Sequence, residues 1–418
     1  MDDLNSASDS FGFSPKHTQA SLDYEPIPRE DARILRLLTL AVDEPPDPLL
    51  GTLHLAAGVG DDRPAELVED EALSYVWGDP AKTKSMTLNG ITFGISASLE
   101  KTLVHLRRPD SERVLWVDAL CINQNDDSEK RHEMSRMHTI YYNAKHVVIW
   151  LGPDGSDSGA AIDFAQEMHA HFLTYLARVG VNNSGEGLFD WISDTERFQM
   201  MEQRGFLAPD RVRAWKALHQ LLSQPWFGRG WTLQELVVSR AGLVLCGGRT
   251  VAWEVLELAI RVCDVTYSPV HELANTTNNT ISPEQETQQA CATVVPYTWP
   301  PYHLDAVNGI ASTRSQYRFL DNRSNGGYMI GTPATFARAN SASSRLTLNI
   351  TRGCSLVYDK IYSVLGILLS ELRDAIQPDY SVPARTVLRR AAKACVEATG
   401  WLNIIRHSQS AYSPDIFL

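Results

Sequence analysis

Ala72-Leu73-Ser74-Tyr75-Val76-Trp77-Gly78 is a short apolar run brought to a stop by Gly78-Asp79-Pro80. A run of this length between turn residues has the character of a strand buried on both faces, with its polar and aromatic residues at the end where the chain leaves the sheet. Residues 72–77, 114–118, 146–151 and 242–246 share the pattern and are predicted strands. Helical spacing fills the intervals: Ser98–Arg108 behind a Ser98 cap, Ser128–Ala144 with Met134, Met137, Ile140 and Tyr141 on one face, then Ser158–Val179, Arg211–Ser223 and Trp253–Val262. Glu129 suits the positive start of its helix. Strands alternating with helices predict βαβ crossovers and an α/β fold, a central, mainly parallel sheet flanked by helices. Asn89-Gly90 between the alternating residues of Met86–Ile95 predicts a hairpin, and Leu50–Ala56 a further strand after the breaks at Pro45, Pro46 and Pro48.

Outward from that core, residues 1–32 read as a disordered tail and 45–263 as the α/β domain. Residues 264–345 are polar, without period, and read as an irregular insertion. Residues 346–418 read as a helical segment packing back on the domain, order returning at Tyr358–Ile367. The 418 residues are 44% apolar and 21% charged, enough for a sizeable core. A net charge of −12 argues against nucleic-acid binding, which needs clustered cations, and against an anionic membrane surface. The N-terminus lacks the apolar region of a signal peptide, and no apolar run reaches the length of a membrane span, so a cytoplasmic chain is expected. Six scattered cysteines without a CxxC pair suit free thiols in a reducing compartment.

Several chemistries lack their signatures. There is no GxGxxG after a strand, no GxxxxGK[ST] and no GxSxG. His132-Glu133 begins like a zinc HExxH motif, but Arg136 stands where the second histidine belongs, and no metal site is expected.

Three ordered blocks are similar to the heterokaryon-incompatibility (HET) domain of filamentous fungi. They are Leu73–Gly78; Leu115-Trp116-Val117-Asp118-Ala119-Leu120-Cys121-Ile122-Asn123-Gln124 running through Glu129, Met137, Ile140-Tyr141 and Ala144 to Val148–Gly152; and Trp226-Phe227-Gly228-Arg229-Gly230-Trp231-Thr232-Leu233-Gln234-Glu235-Leu236. Asp359-Lys360-Ile361-Tyr362-Ser363-Val364-Leu365-Gly366 resembles a segment that often follows the domain. Gly230 departs from the pattern, since family members usually carry a larger residue there. The resemblance implies a trigger of programmed cell death in non-self recognition and a core of TIR or flavodoxin type with insertions. It also implies self-association or engagement of another incompatibility protein. Some TIR domains cleave NAD with a glutamate on a helix after a Trp-containing loop, and Trp231–Leu236 is similar to that arrangement. NAD would then be a substrate, with no cofactor required.

Each candidate residue has a functional and a structural reading. Glu235, among apolar neighbours, must be paired, hydrogen-bonded or shifted in pKa; it is the catalytic candidate, or else an ion-pair partner of Arg229 or Arg240. Asp118, Asn123 and Gln124 end a predicted strand where ligands bind in open α/β sheets, or they cap the following turn. Ser74, Tyr75, Trp77 and Gly78 end the first strand; Trp77 and Trp231 offer either stacking faces or core packing. Arg229 suits a phosphate or a carboxylate. Cys121 has no histidine placed beside it and reads as a buried thiol. The alternative to an enzyme is a non-catalytic signalling module, and what separates the two is whether Glu235 faces a pocket together with Ser74, Trp77 or Asp118.

Overall fold

The computed structural model describes residues 22–31, 33–42, 48–57, 70–155, 157–178, 194–262, 309–314, 349, 352–368 and 370–399. Most of the expected tail over 1–32 and of the insertion over 264–345 lies outside the described residues, as does the end of the segment 346–418.

Among the described residues nine strands form one sheet in the order β5-β4-β2-β1-β6-β3-β7-β8-β9. They are β1 Ile34–Leu40, β2 Leu50–Ala57, β3 Glu71–Ser74, β4 Lys84–Leu88, β5 Ile91–Ile95, β6 Arg113–Trp116, β7 Val147–Trp150, β8 Gly242–Cys246 and β9 Arg249–Ala252. The central pairs β6–β3, β3–β7 and β7–β8 are parallel, as the alternation of elements predicts. Ala72, Val147, Val148 and Ile149 are fully buried, because crossover helices cover both faces of these strands. Antiparallel β1 and β9 flank the parallel core. The hairpin β4–β5 turns at Asn89 and Gly90, both at positive φ, which is the geometry a tight two-residue loop demands. Residues 34–40 form a strand that inserts between β2 and β6.

In chain order the parallel strands sit second, first, third, fourth. The onward connections of β3 and β7 therefore run in opposite directions along the sheet, and a crevice opens at the carboxyl ends of its strands. Helices of the α/β part include α1 Ala97–Leu106, α2 Asp118–Cys121, α3 Asp127–Asn143, α4 Ser158–Arg178, α5 Asp194–Gln203, α6 Val212–Leu222 and α7 Thr232–Val237, and further helices follow, among them Asp359–Tyr362, Ser370–Ala375 and Ala384–Thr399. Two starts differ from the sequence reading. Ser96, not Ser98, caps α1 by accepting from the Leu99 amide at 3.2 Å, and the Ser98 hydroxyl instead donates to the Val76 carbonyl. Asp126 caps α3, accepting from the amides of Ser128 and Glu129 at 2.8 and 3.1 Å. No helix among the described residues is long and apolar enough to cross a membrane.

The segment 352–368 lies as a strap along the loop and helix at 225–237. Gly230 donates to the Gly353 carbonyl at 2.9 Å and Gly353 to the Gly228 carbonyl at 2.7 Å. The buried Arg352 guanidinium donates to the carbonyls of Phe227 and Arg229 at 2.8 and 3.0 Å. The strap explains the glycine at 230: a Cβ there would stand 2.5 Å from Cys354 Sγ and 2.9 Å from Asn349 Oδ1. It is anchored again at Gly366, whose amide donates to Gln234 Oε1 at 3.0 Å and whose missing Cβ would meet His138 Cβ at 2.3 Å. Gly366→Ala must push the strap away from α3 and α7. We expect urea unfolding to show a loss of about 1–3 kcal/mol. Gly248→Ala, where nothing lies within 4 Å, should stay within about 0.5 kcal/mol of wild type. Equal stability of the two variants would mean the strap does not pack as described.

Candidate functional site

The crevice at the carboxyl ends of β3 and β6 is a cavity of about 600 Å³. Four stretches of chain wall it: Val76–Gly78 beyond β3, Asp118 to Gln124 beyond β6, the loop Pro225–Trp231 with Glu235 of α7, and Gly353–Ser355 of the strap. Met134, Met137 and Lys130 of α3 complete the lining.

Glu235 is delivered by a helix of one and a half turns that starts at Thr232. The Thr232 hydroxyl lies 3.0 and 2.9 Å from the carbonyls of Trp226 and Arg229, which fixes the helix to the preceding turn. The side chain is buried and still lines the cavity. Its Oε2 accepts from the Ser74 hydroxyl, and Ser74 Oγ in turn accepts from Trp226 Nε1 at 2.8 Å. Neither ion pair expected from the sequence forms. Among the described residues no salt bridge to Glu235 occurs; Arg229 donates to the Tyr75 carbonyl, and the Arg240 guanidinium lies 5.0 Å over the Tyr142 ring. Burial pushes Glu235 up from 4.5 to about 7, against the Arg229 charge and the Ser74 hydrogen bond, with Asp118 adding to the rise.

Asp118 both holds its turn and lines the cavity. It opens the turn by accepting from the Ala119 amide at 2.7 Å, and it faces the cavity, where Trp77 Nε1 donates to its two oxygens at 3.2 and 3.0 Å. Burial raises it to about 6, opposed by Arg229, the Ala119 amide and the Trp77 indole. Glu71, at the amino end of β3, behaves in the opposite way. Burial raises that carboxylate too, yet His146 and Arg113 bring it down to about 2. One end of the sheet holds a carboxylate matched by cations, and the other holds two that are poised to titrate near neutrality, which is the pattern of a functional site.

The remaining candidates divide. Trp77 and Trp231 are half-buried on the cavity wall, whereas Trp116, Trp150 and Trp226 belong to the core. Gly78, at φ 65°, and Arg229 line the cavity. Gln124 lines it while its Nε2 holds the Asp118 carbonyl at 2.9 Å. Ser74 and Tyr75 are buried behind the wall, Ser74 touching the site through Glu235. Asn123 does not line this cavity, and its side-chain oxygen accepts from the Asn125 amide at 3.2 Å. Cys121 is buried, its sulfur accepting from the Val117 amide at 3.3 Å. Sequence reasoning missed Lys130 and the strap residues Gly353–Ser355, which no motif or spacing marks. Among the described residues, no group of three or more His, Cys, Asp or Glu is placed to hold a metal ion.

A raised carboxyl has a measurable consequence. The folded state binds the Glu235 proton more tightly than the unfolded chain, so its contribution to stability is full below about 4.5 and is lost as pH rises to about 7. Glu235→Gln removes this titration. The stability of the variant relative to wild type should therefore climb between about pH 5 and about pH 8, by about 1.4 kcal/mol for each pH unit that separates the folded and unfolded titration midpoints. A difference that stays flat across that interval would show that burial does not perturb Glu235.

Residues 71–235 match the family model described as heterokaryon incompatibility protein (HET). Heterokaryon incompatibility protein 6, OR allele, of Neurospora crassa is 32% identical over 208 residues, a stretch covering 43% of this chain and 29% of that protein. The chain thus matches less than a third of that relative's length. No solved structure matches it. The matched range begins with β3 and ends at Glu235, so it spans the strand ends and the α7 carboxylate that build the cavity. Over residues 71–235 the chain is thus similar to the heterokaryon incompatibility (HET) family.

Proposed function

We propose that the chain triggers incompatibility-type cell death in non-self recognition, and that it does so by cleaving the nicotinamide–ribose bond of NAD in the cavity at the end of β3. The observation that carries this reading is Glu235: it lines the cavity with Asp118 and Trp77, is held by Ser74, and forms no ion pair among the described residues. In the reaction, the bond between ribose C1′ and the ring nitrogen breaks, and its electron pair goes to nicotinamide, which leaves neutral. Water adds to C1′ and releases a proton, giving ADP-ribose. Positive charge gathers on the ribose in the transition state, and an ionised carboxylate in a site with little water stabilises it strongly. Glu235 is suited to that role, with Trp77 and Trp231 offering faces to the ring and Arg229 a cation to the phosphates.

A second reading keeps the domain non-catalytic, acting by self-association or by binding another incompatibility protein. Leu356 and Val357 favour it: 50% and 38% exposed, they follow directly on Ser355 at the cavity wall.

Purified protein incubated with NAD, dilute and under crowding, should release nicotinamide. Because the active form of Glu235 is the anion, the rate should rise with pH through about 7. Glu235→Gln should fold and lose both nicotinamide release and killing on overexpression in a fungal host, the former by about 100-fold or more. A Glu235→Gln variant that folds and still kills removes the enzyme reading. In that case Trp231→Ala, which loses the indole hydrogen bond to Asp359 of the strap and its packing on the core, should be the more damaging change.

A further inference from the structure

A second cavity, of about 520 Å³, lies against the first. Trp77, Gln124 and Lys130 line both, so a single wall made by the Trp77 indole, the turn after β6 and the first turn of α3 stands between them. Either volume falls in the range of small-molecule sites, roughly 300–1,000 Å³.

Charge distinguishes the two. The first cavity sets Asp118 and Glu235 against Arg229 and Lys130. The second is lined by Lys82 and Lys130 and, among the described residues, by no Asp or Glu. In a chain with 50 acidic and 38 basic residues, a concave surface carrying lysines alone selects an anion. The rest of its wall is aromatic and amide in character. Phe93 of β5 lies with the Lys82 ammonium 5.1 Å over its ring, and Tyr24 stands on the wall with the Arg36 guanidinium 4.7 Å over its own ring. Aromatic faces accept base rings whatever their sequence identity, and the Asn123 and Asn125 amides add donors and acceptors for ring edges. Lysine, aromatic and amide groups together describe a site for a nucleoside phosphate.

We propose that the second cavity is the subsite for one nucleotide half of a dinucleotide whose other half occupies the first cavity, with Lys130 on the shared wall meeting the phosphates that join them. This rests on the reading of the first cavity as the place of NAD cleavage, and it extends the recognition surface to Lys82, Phe93 and Lys130. Phosphates at the seam answer the one cation that both cavities share. The half with the cleavable ribose bond falls on the side that holds Glu235, and the half that undergoes no chemistry falls where no carboxylate repels its phosphate.

The test uses the Glu235→Gln protein, so that ligand is not consumed, and titrates AMP, nicotinamide mononucleotide and NAD by calorimetry. AMP should bind. Lys82→Gln, an exposed loop change that leaves the fold intact, and Phe93→Leu should each weaken AMP and NAD by about tenfold while moving nicotinamide mononucleotide by no more than about twofold. Lys130→Gln should weaken NAD by about tenfold or more, since it loses the contact common to both halves. The proposal is overturned if AMP does not bind at millimolar concentration, or if both Lys82→Gln and Phe93→Leu leave NAD affinity unchanged. Wild-type protein that releases nicotinamide with a KM indifferent to Lys82→Gln keeps the cleavage reading and removes the subsite. AMP and NAD binding that responds to Lys82→Gln in protein that never cleaves NAD keeps the subsite and removes cleavage.

Discussion

The hydrogen-bond chain from Trp226 Nε1 to Ser74 Oγ to the Glu235 carboxylate holds the site together. An indole can only donate and an ionised carboxylate can only accept, so the serine hydroxyl between them has its direction fixed: it accepts from one and gives its single proton to the other. That chain ties the end of β3 to the turn at Pro225–Gly228 and to α7, with Ser74 and Trp226 separated by 152 positions in the sequence. It also supplies the polar contact that a carboxylate needs once it leaves bulk water, without neutralising its charge. A lysine or arginine in the place of Ser74 would hold Glu235 as firmly and pull its pKa down, as Arg113 and His146 do to Glu71.

From that constraint the electrostatics of the cavity follow. Arg229 reaches the site as a nearby charge that does not pair with the carboxylates, because its guanidinium donates to the Tyr75 carbonyl. Two carboxyls then share one buried pocket with Arg229 unpaired to either, and burial raises both. Ionisation of either makes ionisation of the other harder, so Asp118 and Glu235 titrate as an interacting pair, and a cation or a developing positive charge brought into the cavity favours the ionised forms of both.

The cavity is closed by chain that lies beyond the recognised domain. Gly353–Ser355 form one wall, and Asp359, which accepts hydrogen bonds from Tyr380 at 2.7 Å and from Trp231, sets the Trp231 indole against another. Glycines at 230 and 366 let the chain lie against the side chains of Cys354 and Asn349 and of His138 at distances that a Cβ would forbid. The strap is therefore part of the site, and the boundary of a family match at Glu235 is a boundary of sequence similarity and not of folding.

The sequence by itself determined the class of fold and the central strands. Four apolar runs, each too short for a helix and too uniformly apolar for a half-exposed strand, can be satisfied only by a sheet covered on both faces, and their C-terminal ends must then meet along one edge. Asn89-Gly90 fixed a hairpin for the equally local reason that both residues must take positive φ. Glu235 was legible as an anomaly, a charge in an apolar stretch, and Asp118 as a polar residue at a strand end. What the sequence could not decide was the partner of each. Ion pairing with Arg229 or Arg240 is as consistent with spacing as a hydrogen bond to Ser74, 161 positions away, and only the packing of α7 over β3 selects among them. Lys130, Phe93 and the strap were invisible for the same reason. A lysine on a polar helix face, a phenylalanine in an edge hairpin and a glycine in a loop acquire chemical meaning only when tertiary structure brings each of them to a common cavity.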